Sequence, residues 1–313
     1  MRGFAALIFV STIGLLSMPL KAENNVFNHL GVGLEVGTTG IGLEVSTTMN
    51  DYFQLRAGAS FVPNIDVYDF TVSIAGSEKW TELQTKFKEL SAQKEHFTEE
   101  QQAIITKVEN LSFMKNAVNK EVGVESNLKL GASVKLLVDY LPFKNSSFRF
   151  TAGFYYSNSN KIVEATSVGG DYVLEAITYY NEYLANKTFS ATIKGKKVSY
   201  EFGDPLTVTV GGDGKNGVNQ ISPNGPKVTA YVEVNGFRPY LGIGFGRAVP
   251  TKHRLGFACD LGVMFWNAPT INVNDYNLQT EGISDDNGGD IIKIVPKIVL
   301  YPCLNFRLTG RIF

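Results

Sequence analysis

The chain has 313 residues and a formal net charge of −1, with 29 Lys and Arg residues against 30 Asp and Glu residues. This balance argues against nucleic-acid binding, which requires a strongly basic surface. Aromatic residues make up 12% of the chain and there are 31 glycines, a composition typical of β-rich proteins with many turns. We therefore expect an all-β protein that does not bind nucleic acid.

The N-terminal segment has the form of a secretory signal peptide. Arg2 precedes an apolar run over residues 4–16, and Ala22 is a plausible cleavage point. A transmembrane helix is the less favoured alternative, because a helix needs about 20 apolar residues to cross a bilayer. We expect residues 1–22 to be removed and residues 23–313 to form the exported protein.

Strict alternation of apolar and polar residues, which is typical of β-strands with two different faces, recurs in eight segments. These segments are residues 30–36, 41–46, 53–61, 128–139, 148–156, 237–246, 255–265 and 300–313. The connections after the second, fourth and sixth segments are short, and those after the third, fifth and seventh are long. Short periplasmic turns alternating with long outer loops are typical of bacterial outer-membrane barrels. The sequence therefore predicts an eight-stranded antiparallel transmembrane β-barrel with both termini periplasmic, while a β-sandwich is the soluble alternative.

The long connections are predicted insertions at about 63–124, 158–226 and 267–298, facing outside and partly helical. In the first, a capping box at Thr98 opens the second helix of a predicted helical hairpin. Its apolar faces carry Trp80, Leu83, Phe87 and Leu90 on the first helix, and Ile104, Val108 and Leu111 on the second. We expect this extracellular hairpin to be ordered.

The inward face of the predicted barrel is charged. Its candidate lumen residues are Glu35, Glu44, Arg56, Lys129, Lys135, Asp139, Arg149, Arg238, Asp260, Arg307 and Arg311. An eight-stranded barrel has an interior just wide enough for side chains, and buried charges must pair. The sequence favours a lumen filled by salt-bridged side chains, and a narrow selective or gated pore is the alternative.

Signals for catalysis or cofactor binding are poor. Cys259 falls on the apolar face of its segment and Cys303 on the polar face, so we expect two free thiols rather than a disulfide. The three histidines, His29, His96 and His253, form no visible acid–histidine–nucleophile pattern. We therefore expect no enzyme, no cofactor and no metal, and a barrel-borne hydrolase or acyltransferase is the remaining alternative.

Two stretches carry a family resemblance. Residues 236–247, with the sequence GFRPYLGIGFGR, and residues 31–61 resemble uncharacterised Bacteroidota-type outer-membrane barrel proteins. The strands together resemble small barrels of the OmpA-membrane-domain, OmpX and OmpW kind. The resemblance implies outer-membrane lipid and the barrel assembly machinery as partners, and the terminal Phe313 as the assembly signal. The usual signal has apolar residues in register with the last aromatic residue, whereas here Arg311 shares that register.

Three functional hypotheses follow. The first is a surface-exposed structural or interaction protein whose loops bind an unknown extracellular ligand or protein. The second is a narrow channel or transporter for small polar solutes, and the third is the barrel-scaffolded enzyme. An apolar patch left exposed on the helical hairpin favours a partner, whereas a continuous polar path through the lumen favours transport.

Overall fold

The computed structural model describes residues 29–73, 77–110, 121–143, 146–168, 171–209, 219–225, 227–251, 253–274, 276–283, 285 and 289–313. The predicted signal peptide lies outside the described residues. No helix in the described part of the chain is long and apolar enough to cross a membrane.

Eight antiparallel strands form a closed barrel. They are β1 (Leu30–Gly37), β2 (Gly40–Thr48), β3 (Phe53–Val62), β6 (Gly131–Tyr140), β7 (Phe148–Tyr156), β14 (Phe237–Phe245), β15 (Leu255–Phe265) and β18 (Leu300–Arg311). Around the barrel their order is β1, β18, β15, β14, β7, β6, β3 and β2. The predicted eight-stranded antiparallel barrel is confirmed.

The period-two pattern explains why these strands close into a barrel. On β1, Leu34 and Val36 are 54% and 56% exposed, whereas Glu35 between them is 1% exposed. Successive side chains of a strand point to opposite faces, so an apolar outer wall and a polar interior arise together. The outer wall is that of a transmembrane barrel, because only a closed barrel satisfies the backbone hydrogen bonds of strands in lipid.

Beyond one end of the barrel, which we call the loop end, the wall continues as a separate six-stranded sheet. Its strands are β4 (Ile65–Ser73), β5 (Glu121–Leu128), β8 (Lys161–Val168), β13 (Thr229–Glu233), β16 (Thr270–Val273) and β17 (Tyr276–Asn277). The sequence predicted one continuous strand over residues 128–139. In the structure this strand is interrupted between β5 and β6, where Gly131 has a φ of +62°. The opposite end, which carries His29 and Phe313, is the terminal end.

The other described residues beyond the loop end form separate helices and short strands. The helices are α1 (Ser77–Ser91), α2 (Glu99–Glu109), α3 (Asp171–Tyr183) and α4 (Gly289–Ile294), with 3-10 turns at Lys94–His96 and Val295–Lys297. The remaining strands are β9 (Thr188–Ile193), β10 (Lys196–Glu201), β11 (Val208–Thr209) and β12 (Gln220–Ile221). The predicted capping box is present, because Thr98 and Gln101 each bond the other's backbone N–H. We call everything beyond the loop end, including the six-stranded sheet, the cap.

The apolar faces of α1 and α2 are used within the cap. Phe87, Leu90 and Val108 are buried in one cluster with Tyr180 of α3 and Phe189 of β9, and Leu83 and Ile104 are partly buried against it. Ile105, which was not among the residues predicted for the apolar face, is fully buried there. Leu111 lies outside the described residues, and Trp80 lies on α1 but its side chain is not described.

The C-terminal strand ends before the final aromatic residue. β18 stops at Arg311, although the backbone of Ile312 and Phe313 still bonds that of Leu30 on β1. Ile312 and Phe313 are 48% and 51% exposed, so the inward–outward alternation does not extend to Phe313. This explains why Phe313 is out of register with the apolar face. Its role as an assembly signal stays a prediction.

Candidate functional site

The barrel interior contains a compact cluster of eight buried charges. Its members are Glu35, Glu44, Arg56, Lys135, Asp139, Arg149, Asp260 and Arg307, which are each at most 4% exposed. Four are cations and four are carboxylates, so the described cluster has no net formal charge. We call this set the lumen cluster. It is the part of the chain where charge, burial and geometry coincide, and we treat it as the candidate functional site.

Arg56 is the centre of the lumen cluster. Its Nη2 lies 2.9 Å from Asp139 Oδ1, while its Nη1 lies 3.3 Å from Asp260 Oδ2 and 3.4 Å from Glu44 Oε2. Thr151 accepts a further hydrogen bond from Nη2 at 3.3 Å. A guanidinium carries five donors in a planar fork, which suits it to join strands on several sides of the lumen.

Lys135 and Arg307 complete the side of the cluster that includes β1 and β2. Lys135 Nζ lies 2.5 Å from Glu35 Oε2 and 3.0 Å from Glu44 Oε2. Arg307 Nη1 lies 2.7 Å from Glu44 Oε1. Thr39 donates a hydrogen bond to Glu35 at 3.2 Å, which links the cluster to the β1–β2 turn at the loop end. These contacts connect side chains from several strands and a turn.

Arg149 of β7 connects β15 to the turn that follows β14 at the terminal end. Its Nη2 lies 2.6 Å from Asp260 Oδ1, and its Nη1 donates to the carbonyl of Gly246. Glycine provides the space for these long side chains: a Cβ on Gly244 would lie 2.7 Å from Asp260 Oδ1 and 2.8 Å from Arg149 Cζ. A Cβ on Gly33 would lie 3.2 Å from the side chain of Arg307. Inward glycines are therefore part of the site.

Three residues assigned to the lumen cluster by sequence lie elsewhere. Lys129 lies outside the barrel, in the interruption between β5 and β6. Its Nζ pairs there with Glu164 at 2.5 Å. Arg238 is buried at the loop end, bonded to the carbonyls of Asn235 and Ser159. Arg311 is at the terminal end and donates to a turn carbonyl, 2.9 Å away. The prediction that these three join the cluster was wrong, because it extended the alternation beyond the barrel's middle.

Beside the lumen cluster and toward the loop end, the interior is apolar and aromatic. Leu137, Tyr155, Tyr240, Met264 and Cys303 form one buried group, each at most 3% exposed. The rings of Tyr155 and Tyr240 are 5.6 Å apart in an edge-to-face arrangement. We call this group the aromatic layer: Leu137 lies between Lys135 and Asp139 on β6, and the other four residues fill the interior toward the loop end.

Both cysteines are free thiols, on opposite faces of the barrel wall. Cys303 belongs to the aromatic layer and is fully buried, while Cys259 is partly exposed on the outer side of β15. The predicted absence of a disulfide between them is confirmed.

The terminal end is closed by a turn that the sequence reading treated as an ordinary connection. Between β14 and β15, Ala248 and Val249 are fully buried within the mouth of the barrel. The backbone N–H of Ala248 donates to Gln54 at 2.8 Å, and its carbonyl accepts from Ser46 at 2.9 Å. We call residues 246–251 the inserted turn. Its apolar sequence, Ala-Val-Pro at 248–250, was the available signal, since exposed turns are seldom apolar.

The ion pairs of the lumen cluster are suited to holding the strands of the barrel together. All eight charges have opposite charges close by, and every carboxylate contacts at least one cation. A few donors, among them Arg307 Nη2 and Arg56 Nε, have no hydrogen-bond partner within the described protein. Among the described residues no group of three or more potential metal ligands comes together. His96 lies in the cap, far along the chain from His29 and His253 at the terminal end.

The outer surface of the barrel carries a continuous apolar band. Phe150, Leu241, Leu261 and Leu308 are between 49% and 55% exposed on four different strands. Exposed apolar patches of this extent rarely occur on soluble monomers. An apolar outer wall around a charged, filled interior is the arrangement expected of a barrel in an outer membrane.

No protein-family model matches the sequence, and no curated protein matches it. Among solved structures, Acinetobacter baumannii CarO2 aligns at 15% identity with a TM-score of 0.40, covering 92% of this chain and all of that one. A. baumannii CarO aligns at 14% identity with a TM-score of 0.41, covering 92% and 99%. A major outer membrane protein from Thermus thermophilus aligns at 12% identity with a TM-score of 0.28, covering 90% and 99%.

Proposed function

We propose that this protein is a closed outer-membrane barrel that anchors an ordered cap at the cell surface, where the cap binds an extracellular ligand or protein. The termini face the periplasm and the long loops face outside. The proposal rests on one observation: the lumen is filled by the inserted turn, the lumen cluster and the aromatic layer. A barrel filled in this way supports a structural or interaction role better than permeation.

The size of the barrel supports a closed lumen. Eight strands leave an interior that side chains can fill, and open aqueous channels belong to barrels of many more strands. Here the balanced charges neutralise one another, so the cluster needs no mobile counter-ion. Opening a path would separate pairs such as Lys135 with Glu35, which are 1% exposed, and a buried charge without its partner is costly.

The hydrophobic packing of the cap supports a role outside the membrane. It has buried clusters of its own, such as that of Phe87 and Tyr180, and another of Ile271 and Leu278. The described apolar residues of the α1–α2 hairpin are used inside the cap. A partner would therefore contact other cap surfaces, rather than the apolar face of the hairpin.

Single-channel recording in planar bilayers tests the closed lumen. We expect the purified full-length protein to give no stable conductance steps under conditions in which a sixteen-stranded porin, run in parallel, gives them. Insertion is checked independently by protection of the barrel strands from protease in vesicles made of the same lipid. Stable, sizeable steps from inserted protein would overturn the proposal in favour of the channel hypothesis.

Surface labelling tests the orientation. In a variant lacking both native cysteines, K196C on the exposed β9–β10 hairpin is expected to react with a membrane-impermeant maleimide on intact cells. T251C on the inserted turn is the matched control at the other end and is expected to react only after the outer membrane is permeabilised. The reverse pattern would contradict the proposed orientation.

A further inference from the structure

An exposed apolar segment lies beyond the barrel strands, at the loop end of β15 and β18. It comprises residues 289–299, covering α4 and the 3-10 turn that follows it. Four of its side chains are exposed: Ile291 is 39% exposed, Ile294 56%, Ile298 48% and Val299 40%. The lipid-facing strands do not include these residues, so the bilayer contact of the barrel wall does not by itself explain their exposure.

The segment is bonded to the end of the barrel and packs against the rest of the cap. The backbone N–H of Trp266 donates to the carbonyl of Val299 at 3.1 Å, and its indole Nε1 donates to the carbonyl of Ile298 at 2.6 Å. On the other side of α4, Ile292 is buried in the cluster that contains Ile271. Its exposed isoleucines are therefore presented by an anchored element and not by a loose loop.

The position of the segment along the barrel axis indicates what covers it. Leu300 begins β18, pairs with Phe265 of β15 and is 45% exposed. A strand of this length, rising about 3.3 Å per residue and tilted by about 40°, spans about 30 Å along the axis. The apolar band of such barrels is about 25 Å tall. Leu300 thus lies at the edge of the band, and the segment continues directly from it at headgroup height.

We propose that residues 289–299 form an interfacial anchor, whose isoleucines enter the boundary between headgroups and acyl chains of the leaflet at the loop end. This rests on the proposed membrane placement of the barrel. An amphipathic element binds a lipid surface by burying its apolar face at this depth. Lys297, exposed between Ile294 and Ile298, is placed to extend its ammonium group toward lipid phosphates.

The charges around the segment are mixed, so the apolar contact carries the proposal. Lys293 is paired with Asp285 at 2.8 Å, and Asp290 is exposed in the first turn of α4. Asp290 lies at the end of the segment remote in sequence from Leu300. We therefore assign the contact to a lipid surface in general and not to a specific anionic headgroup.

Depth-dependent fluorescence quenching tests this assignment. In a C259A/C303A background, I294C and I298C are each labelled with an environment-sensitive dye and the protein is reconstituted in phosphatidylcholine vesicles. We expect blue-shifted emission and strong quenching by lipids brominated near the headgroup. L304C on the lipid face of β18 and K196C on the cap hairpin are the matched controls for buried and aqueous positions.

The two controls separate the possible failures. If L304C is quenched by brominated lipid while I294C and I298C behave like K196C, the segment is not an interfacial anchor although the barrel is inserted. If L304C also behaves like K196C, the membrane placement itself is wrong. If I294C and I298C resist brominated lipid but self-quench as the protein-to-lipid ratio rises, a second copy covers the segment, and the lipid assignment is overturned.

Discussion

Arg56 and Asp260 join opposite walls of the barrel, with Arg56 Nη1 lying 3.3 Å from Asp260 Oδ2. Arg56 is on β3 and Asp260 is on β15, and these strands are four places apart in a ring of eight. Neighbouring strands are already held by their backbone bonds. A contact across the full diameter instead fixes the shape of the barrel's cross-section, which backbone pairing alone leaves adjustable.

Removing the carboxylate of Asp260 is expected to destabilise the barrel strongly. D260A leaves Arg149 without its 2.6 Å partner and Arg56 without its cross-lumen contact. Breaking a buried pair by removing one partner costs about 3–5 kcal/mol. The free energy of unfolding in urea, followed by the gel mobility of the folded barrel, measures the effect.

D285A is the matched control for D260A, because Asp285 also pairs with a cation but its side chain is 80% exposed. Exposed pairs contribute about 0–1 kcal/mol, so D285A should unfold close to the unmodified protein. Equal effects of D260A and D285A would show that the lumen cluster does not stabilise the barrel.

Adding one methyl group at Gly244 is expected to disturb the lumen cluster without removing any charge. The new Cβ would lie 2.7 Å from Asp260 Oδ1 and 2.8 Å from Arg149 Cζ, closer than van der Waals contact allows. Overpacking of a filled interior costs about 1–3 kcal/mol. G203A is the control, because a Cβ there meets nothing within 4 Å. If G244A unfolds at the same urea concentration as G203A, the interior is looser than the distances indicate.

The barrel could be predicted from sequence because its signals are local and repetitive. Alternation assigned Leu34 to the outside and Glu35 to the inside, and the structure places both so. Once the faces were known, eight of the eleven inward charges could be placed in one cluster. The exceptions arose at strand ends: Lys129 lies between β5 and β6, just before Gly131, and no period-two pattern reveals this interruption of the strand.

Features that depend on distant contacts could not be predicted. The six-stranded sheet of the cap pairs β13 with β8 and β16. Both partners are far from β13 in sequence, and β13 and β16 are too short to show a clear period. The inserted turn is defined by bonds from Ala248 to Gln54 and Ser46. Its residues are separated from these partners by most of the chain, so only the closed barrel brings them together.

The stability of the α1–α2 hairpin is expected to fall in mild acid. Burial would raise the pKa of Glu109, but hydrogen bonds from Ser91 and Lys94 outweigh it and lower the pKa below the usual 4.5. A carboxyl group with a lowered folded-state pKa stabilises the fold above its unfolded pKa, and this contribution is lost as the pH falls through the folded value. The protection factors of the α2 amides, obtained by hydrogen exchange at each pH after correction for the intrinsic exchange rate, measure this loss.

E109Q is the control for this pH dependence, since glutamine keeps much of the shape but does not titrate. The protection factors of the α2 amides in E109Q should be lower at neutral pH than in the unmodified protein and should change less as the pH falls below about 5, near the unperturbed carboxyl pKa. If both proteins respond to acid alike, another group is responsible for the acid sensitivity.

The inserted turn is expected to seal the terminal end against small reagents. In a C259A/C303A background, A248C should react slowly with a small polar thiol reagent, because Ala248 is fully buried. T251C, at an exposed position of the same turn, should react quickly and serves as the control. Adding Q54L to A248C removes the acceptor of the 2.8 Å bond from the Ala248 N–H, leaves a buried donor unpaired and should speed the reaction. Rapid labelling of A248C without Q54L would mean that the turn leaves the mouth freely, and that the lumen cluster and the aromatic layer close the barrel without it.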